Sequence, residues 1–424
     1  MSLFAELQFR NLVHQTTTDT LGEWLDSGPR TVYAGFDPTA TSLHVGSLLP
    51  LMLLRRFQQA GHRPLALVGG ATGMIGDPSG KSAERNLLSQ EAIAENVAGI
   101  RSQMERFLDF DDRHYGAVLV NNLDWIGQFS YLEFLRDVGK NFPVNVMLAK
   151  DSIKGRLERE DAGISYTEFS YMLLQAFDFV HLARTYDCQL QVGGSDQWGN
   201  ITAGIDLARR MDSRQLFGMT TPLLLKSDGT KMGKTESGAV WLDADRTSPY
   251  QFYQYWMNVD DADAGNCLRM LSEVPRDEIC ALDDERASAP QARSSQRRLA
   301  ESLTELVHGC DGLQAARRAT EIFFGAEIRD LDDAQLGQIF ADVPSAELPR
   351  STLAAGLSII DALAAAGLAK SKGEARRTVE QGGAYVNNSR VESLDTTLGP
   401  SHLASETVMV LRSGRKKYAL LRFV

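Results

Sequence analysis

Short apolar runs alternate with longer helical stretches over the first 225 residues, and a parallel sheet covered by helices is what such alternation builds. Residues 31–35 read as a strand, 48–60 as a helix stopped by Gly61, and 64–68 as a buried strand ending in Gly69-Gly70. Ser89 is placed to cap a helix running to about Leu108. Residues 117–120 form the next strand, 167–185 a helix, and 189–192 a further strand. Ligands of such sheets bind beyond the carboxyl ends of the strands, so the segments that follow the strands are where chemistry belongs.

The pattern changes after residue 247. Residues 248–325 are mostly helical and charged, and read as a helical domain. In 326–350 the residues Asp330, Asp332, Asp333, Asp342, Pro344 and Pro349 interrupt any periodicity, which reads as a linker. Residues 351–424 form a third unit, with short helices at 359–366 and 372–381 and strands near 385–386 and 408–410. A chain of 424 residues exceeds one ordinary core. No basic-then-apolar leader and no apolar run of about 18 residues occurs, so neither a signal peptide nor a spanning helix is expected. Cys188, Cys267, Cys280 and Cys310 form no C-x-x-C pair, and reduced thiols in a cytoplasmic protein are the simplest reading. The net charge of -11 excludes a nucleic-acid binder over the whole surface. The charge is uneven: residues 351–424 hold ten Lys+Arg against six Asp+Glu, a balance of +4 that leaves -15 on the rest. A basic end on an acidic body is either a polyanion contact or merely solvated.

Two glycine-rich segments imitate phosphate loops and fail on spacing. Gly76-Asp77-Pro78-Ser79-Gly80-Lys81-Ser82 has three residues between its glycines where a P-loop has four, and Pro78 removes a backbone donor. Gly70, Gly73 and Gly76 are not spaced as a dinucleotide fingerprint. His44-Val45-Gly46-Ser47 follows a tight turn and opens a helix. A neutral imidazole there donates to a phosphate oxygen, with Gly46 admitting a nucleoside close to the backbone, or it caps the helix. Lys231-Met232-Gly233-Lys234-Thr235 offers two cations three apart, either a clamp on leaving pyrophosphate or a solvated turn. Residues 193–200 follow a strand, and their carboxylate and amide suit ribose hydroxyls or a helix cap. Tyr171, Gln175 and Asp178 share one helix face in an apolar segment. Their partners are either a ligand carrying an amine and a hydroxyl or an internal network. The His motif and the lysine loop together suggest chemistry on a nucleoside triphosphate.

As a set these segments resemble the bacterial tyrosyl-tRNA synthetases, members of the class I aminoacyl-tRNA synthetases. The likeness is carried by 33–46 (YAGFDPTATSLHVG), 69–80 (GGATGMIGDPSG), 167–178 (TEFSYMLLQAFD) and 191–200 (QVGGSDQWGN). Residues 231–235 are similar to that family's form of the class I KMSKS loop. Residues from Ser351 onward resemble a small RNA-binding module found in a ribosomal small-subunit protein and in pseudouridine synthases. The resemblance implies an α/β architecture: a Rossmann-like parallel-sheet catalytic domain over 1–247, with an inserted dimerisation segment around 125–160. A helical anticodon-binding domain over 248–325, the 326–350 linker and an α+β RNA-binding module over 351–424 follow.

The implied activity is ATP-dependent attachment of L-tyrosine to its tRNA through tyrosyl-adenylate, releasing pyrophosphate and then AMP. ATP would be a substrate with Mg²⁺, no metal would be held by the protein, and the enzyme would be a cytoplasmic homodimer. Tyr33 and Asp178 would bond the phenolic hydroxyl, while Asp77, Tyr171 and Gln175 hold the ammonium. Gln197 would lie near the carboxylate, and Asp37 would line the same pocket. Gly35, Gly46, Gly194 and Asp196 would meet the nucleoside, the last two at its ribose. Thr39 and His44 would meet the γ-phosphate. Lys231, Lys234 and Thr235 would close over pyrophosphate, joined by Lys81 and Arg85. Ser47 stands where many relatives have a second histidine, and Gly233 where other class I enzymes carry serine. Lys372, Arg376, Arg377, Arg415 and Lys416 would contact tRNA, with Arg412 and Lys417 nearby. A tryptophan-activating sister is disfavoured by the polar Tyr33/Asp178 pair. A non-catalytic RNA-binding scaffold is disfavoured by the intact lysines and His44, and a small-molecule adenylyltransferase by the C-terminal module.

Overall fold

The apolar runs pair as their alternation with helices requires. The structure, a computed structural model, describes residues 2–78, 89–150, 153–154, 157, 164–235, 238–328, 331–341 and 343–424. These fall into two compact units, Met1–Arg246 with Trp256–Val307, and Thr247–Tyr255 with His308–Val424.

The first unit is built on β1 (Gln15–Thr16), β2 (Thr31–Phe36), β3 (Arg63–Val68), β4 (Val118–Asn121), β5 (Cys188–Gly194) and β6 (Phe217–Thr221). Their order is β1-β6-β5-β2-β3-β4, parallel except that β1 runs against β6. The chain therefore winds outward from β2 through β3 and β4, then returns to lay β5 and β6 on the other side. That reversal leaves a crevice at the carboxyl ends of β2 and β5, where open α/β sheets hold ligands. Val32, Leu65, Leu67, Leu190 and Val192 are buried, as strands covered on both faces require.

Two helices set the walls of the crevice. Val45–Gln59 starts three residues before the expected start, because His44 serves as its N-cap. Tyr166–Tyr186 is opened by a capping box between Ser165 and Glu168 and closed by Asp187 in the left-handed conformation (φ 49°). Its Met172, Phe177, Phe179 and Leu182 share one core with Tyr33, Leu65, Trp125 and Met147, which ties the segment after β4 to the sheet. Further along, β7 (Lys234–Thr235) and β8 (Gly238–Ala239) form a small antiparallel pair.

The helical region contains Pro249–Met257, Asp261–Leu271, Arg276–Ser288 and Ser294–Phe323, the last broken at Gly309 (φ 75°). It is shared between the two units rather than standing alone as 248–325.

The second unit carries β9 (Ser345–Leu348), β10 (Leu357–Ser358), β11 (Ala384–Val386), β12 (Ser389–Arg390), β13 (Thr397–Leu398), β14 (Val408–Ser413) and β15 (Lys417–Phe423). Five of them form a sheet in the order β12-β11-β14-β15-β9, and β10 pairs with β13. Residues along β14 and β15 alternate between two cores. Met409, Leu411, Ala419 and Leu421 pack with Ile359, Leu363 and Val379 of the helices Ile359–Ala365 and Lys372–Glu380. Val408, Val410, Tyr418 and Leu420 pack with Ile322, Leu336 and Phe340. The 326–350 stretch, expected as a linker, thus contributes to a core. Asp332 and Gln335 exchange cap bonds at the start of the helix Asp333–Ile339, and β9 pairs with β15. The acids and prolines that hid its periodicity are caps and element boundaries.

Candidate active site

Two cavities meet at the switch point. The first, about 210 Å³, is walled by the ends of β2 and β5, by the Tyr166–Tyr186 helix and by the turn after β3. It gathers Tyr33, Gly35, Asp37, Asp77, Tyr171, Gln175, Asp178, Gly194 and Gln197. The second, about 440 Å³, is edged by His44, Gly46, Asp196, Lys231, Gly233 and Lys234. Asp37 and Asp77 border both.

Asp178 is 1% exposed, and both of its carboxylate oxygens are engaged. Asn122 Nδ2 donates to one at 3.0 Å and Trp125 Nε1 to the other at 2.8 Å. Burial raises its pKa to about 7, against the pull of those two donors. Tyr33, also 1% exposed, has its pKa pushed well up by burial and then by Asp178, so its phenol stays protonated. Its hydroxyl has no hydrogen-bond partner among the described residues. One cavity therefore holds a proton-bearing donor and a carboxylate acceptor, the pair that reads a hydroxyl.

The other end of the polar set is a chain of amides. Gln197 Nε2 donates to Asp77 Oδ2 at 2.7 Å, while Gln175 Nε2 and Asn200 Nδ2 donate to Gln197 Oε1 at 3.2 and 3.1 Å. Gln175 Oε1 is buried without a partner among the described residues, an acceptor suited to an ammonium group. Asp178 and Gln175 are held by internal hydrogen bonds, and all three residues Tyr171, Gln175 and Asp178 line the first cavity.

His44 likewise does two things. Its Nδ1 accepts the Gly46 N–H at 3.0 Å, which places the proton of a neutral ring on Nε2. Partial burial lowers its pKa, with Lys234 and Lys231 adding to the effect, and this keeps the ring neutral. Capping thus fixes the tautomer that leaves an N–H to donate. A Cβ on Gly46 would lie 2.8 Å from His44 Cε1, so the motif needs glycine there. Gly233 is required twice over. Its φ is 84°, and a Cβ would lie 2.7 Å from Val45 Cβ, which is why serine is absent at this point of the loop. Asp196 has its pKa raised by burial and then by Asp77, with Lys231 opposing.

Not every expected residue joins these cavities. Thr39 is exposed on the turn after β2, its N–H bonded to Asp37 O at 2.9 Å, and Ser47 lies in the first helical turn; neither lines a cavity. Lys81 and Arg85 lie outside the described residues, and Thr235 is described only through its place in β7. In the second unit Arg376, Arg377, Arg415 and Lys416 are exposed. Lys372 pairs with Asp361 at 2.6 Å, and Arg412 lies 3.8 Å over the Tyr385 ring.

Three residues were missed. Asn122 and Trp125, which hold Asp178, precede it by more than 50 positions and carry no local signal. Gln191 does carry one, being a polar residue inside an apolar strand. It stands beside Tyr33 in the β2–β5 register and lines the first cavity, its Oε1 without a partner among the described residues.

Known proteins resemble this chain over most of its length. Residues 26–325 match the family described as tRNA synthetases class I (W and Y), and residues 335–421 match a tyrosine–tRNA ligase SYY-like C-terminal domain. The chain is 60% identical to the tyrosine–tRNA ligase of Rhodopirellula baltica over 99% of its own length and 96% of that protein's. It is 50% identical to the tyrosine–tRNA ligase of Roseiflexus castenholzii over the whole of both. A C-terminally truncated mitochondrial tyrosyl-tRNA synthetase from Aspergillus nidulans superposes with a TM-score of 0.68 at 32% identity. That match covers 76% of this chain and 93% of the other.

Proposed function

Because the chain belongs to the class I tRNA synthetases and is a tyrosine–tRNA ligase, we propose that its two cavities divide the substrates, tyrosine in the first and ATP in the second. The enzyme joins L-tyrosine to its tRNA through tyrosyl-adenylate. The observation that carries the division is one cavity with a buried phenol donor and a carboxylate, sharing Asp37 and Asp77 with a cavity edged by cations.

Tyr33 donates to the substrate's phenolic oxygen, and Asp178 accepts that hydroxyl's proton in a hydrogen bond. Gln175 Oε1, Asp77 and Tyr171 receive the ammonium, while Gln197, with Asp37 beside it, orients the carboxylate. Gly35, Gly46, Gly194 and Asp196 form the nucleoside side. A carboxylate is already a nucleophile, so no proton need move in the first step. A carboxylate oxygen bonds to the α-phosphorus, the bond from that phosphorus to the bridging oxygen breaks, and the electron pair leaves with pyrophosphate. Positioning and charge stabilisation supply the rate. His44 Nε2–H, Lys231 and Lys234 face the triphosphate, and the resemblance assigns roles at the same phosphates to Thr39, Ser47, Lys81, Arg85 and Thr235. ATP brings Mg²⁺ as part of the substrate.

Phenylalanine would leave the buried Tyr33 hydroxyl unpaired, at a cost of roughly 1–3 kcal/mol, and would give Asp178 no third donor beside Asn122 and Trp125. Amino-acid-dependent ATP–pyrophosphate exchange without tRNA tests the division. Exchange with tyrosine and not with phenylalanine or tryptophan is the expected result. Exchange with tryptophan would move the first cavity to the sister specificity.

The exposed basic residues of the second unit are assigned to tRNA phosphates, and the 248–325 helices to the anticodon. Alanine at both Arg415 and Lys416 is expected to leave tyrosine-dependent exchange unchanged. The log–log salt dependence of tRNA binding should become shallower by about 1.5, as loss of two phosphate contacts requires. An unchanged slope would remove these residues from the interface.

The segment after β4 is assigned to a second copy of the chain. Tyr131, Leu132, Val144, Val146, Leu148 and Tyr166 are large apolar side chains left 42–75% exposed, and Tyr131 and Tyr166 hydroxyls lie 3.2 Å apart. Leu132→Glu together with Val144→Glu is expected to convert a dimer into monomers in sedimentation equilibrium; a wild type that sediments as a monomer would overturn the assignment. No helix among the described residues is long and apolar enough to cross a membrane. Cys188, Cys267, Cys280 and Cys310 form no disulfide among the described residues, and the protein is assigned to the cytoplasm.

A further inference from the structure

Beyond the residues facing the substrates, one short segment joins the His44 turn to the lysine loop of the second cavity. Val240 is bonded on both sides. Its N–H donates to Gly233 O at 2.9 Å, and its carbonyl accepts the Val45 N–H at 2.9 Å. Leu242 N–H then donates to Leu43 O at 2.9 Å, and Trp241 bridges His44 in antiparallel register. The distance between the His44 turn and the Lys231–Lys234 loop is thus set by three consecutive residues of a third segment. Within it, Trp241 meets the His44 ring edge-on, with centroids 6.1 Å apart. The Arg246 guanidinium lies 3.4 Å from the Trp241 ring centroid, folded back by a turn in which Arg246 N–H donates to Asp243 O at 3.2 Å.

Neither Trp241 nor Arg246 lines either of these two cavities. Their place is behind the donors. We propose that Trp241 and Arg246 are positioning residues for adenylation: the guanidinium–indole stack holds the splint, and the splint holds His44 Nε2 and the two lysines in one frame around the triphosphate. This rests on the assignment of ATP to the second cavity. The tyrosine cavity is walled by other segments, so a loosened splint reaches the phosphates and leaves the amino acid alone.

A cation over an indole contributes little at an exposed site and more when desolvated, and Arg246 is exposed, so the loss is modest. Arg246→Ala is expected to lower kcat for tyrosine-dependent ATP–pyrophosphate exchange by about 3–5-fold, with the tyrosine Kd from equilibrium dialysis within about twofold of wild type. Arg246→Lys, which keeps a cation over the ring, should recover most of the loss, and Trp241→Phe should fall between the two. A merely structural role predicts otherwise: kcat and tyrosine Kd deteriorating together, with no rescue by lysine. That result overturns the proposal, as does an Arg246→Ala kcat within twofold of wild type. If Arg246→Ala does not fold, Trp241→Phe decides by the same split. Wild-type exchange run alongside keeps the two readings apart, because absence of tyrosine-dependent exchange there would count against the ATP assignment itself.

Discussion

Asp178→Asn is expected to reduce kcat/KM for tyrosine-dependent exchange by roughly 10²–10³-fold, on the order of 3–4 kcal/mol of lost transition-state binding. Asn122 Nδ2 and Trp125 Nε1 both donate to the carboxylate, and the substrate hydroxyl would be a third donor. An amide has one oxygen, so its NH₂ must face a donor whichever way it turns. One buried donor is left unpaired, and the acceptor for the substrate hydroxyl is weakened or lost. Selectivity should collapse with the rate, because the variant no longer distinguishes a phenol from a phenyl ring by its acceptor. A tenfold loss or less, with phenylalanine still rejected, would assign the reading of the hydroxyl to Tyr33 alone.

The same carboxylate predicts two pH dependences of opposite consequence. Burial raises Asp178 from an ordinary 3.8 to about 7. Tyrosine binding that needs the ionised form should weaken as pH falls below about 7, approaching tenfold per unit, and should be flat in Asp178→Asn. Stability runs the other way. The folded state holds this proton more tightly than the unfolded chain, so the group's contribution declines as pH rises from near 4 towards 7 and stays lost above. The unfolding free energy of Asp178→Asn minus that of wild type should therefore increase between pH 5 and pH 8. A difference that does not change with pH would mean that the carboxylate is not ionising in that window.

The sheet was legible because its cause is local. Apolar runs bounded by Gly61 and Gly69-Gly70, and helices opened by His44, Ser89 and Ser165, carry their signals within a few residues. Site residues were legible where the chemistry is unusual for its surroundings: Asp178 inside an apolar helix, two lysines around a glycine. What was illegible depends on pairing across the fold. Asn122 and Trp125 reach Asp178 only because β4 ends beside the Tyr166–Tyr186 helix, and Val240 gains its role only by lying between two loops. In 326–350, Leu336, Ile339 and Phe340 are spaced as a helix face, but the neighbouring acids dominate any windowed reading. The resemblance supplied roles for Thr39 and Ser47 that neither cavity wall supports directly.

Removal of both lysine side chains is expected to have the second large effect. Lys231 and Lys234 edge the cavity assigned to ATP and are exposed to it, and the geometry gives them no part in the tyrosine cavity. Charge builds on the bridging oxygen and on departing pyrophosphate only as the bond to the α-phosphorus breaks. Cations that meet it then stabilise the transition state more than the ground state. Alanine at either position should lower kcat for exchange by about 10²-fold, a magnitude typical of losing one preorganised charge-stabilising group. The double variant should lose at least about 10³-fold. Tyrosine Kd should remain within about twofold, and KM for ATP should rise much less than kcat falls. Arginine at these positions keeps the charge but spreads it over a planar fork on a different stem, so only partial recovery is expected. A variant whose ATP affinity falls in proportion to its rate would show uniform binding of the triphosphate. The lysines would then be holding ATP rather than driving its cleavage, and the stabilising role would pass to His44 and to the Mg²⁺ that ATP carries.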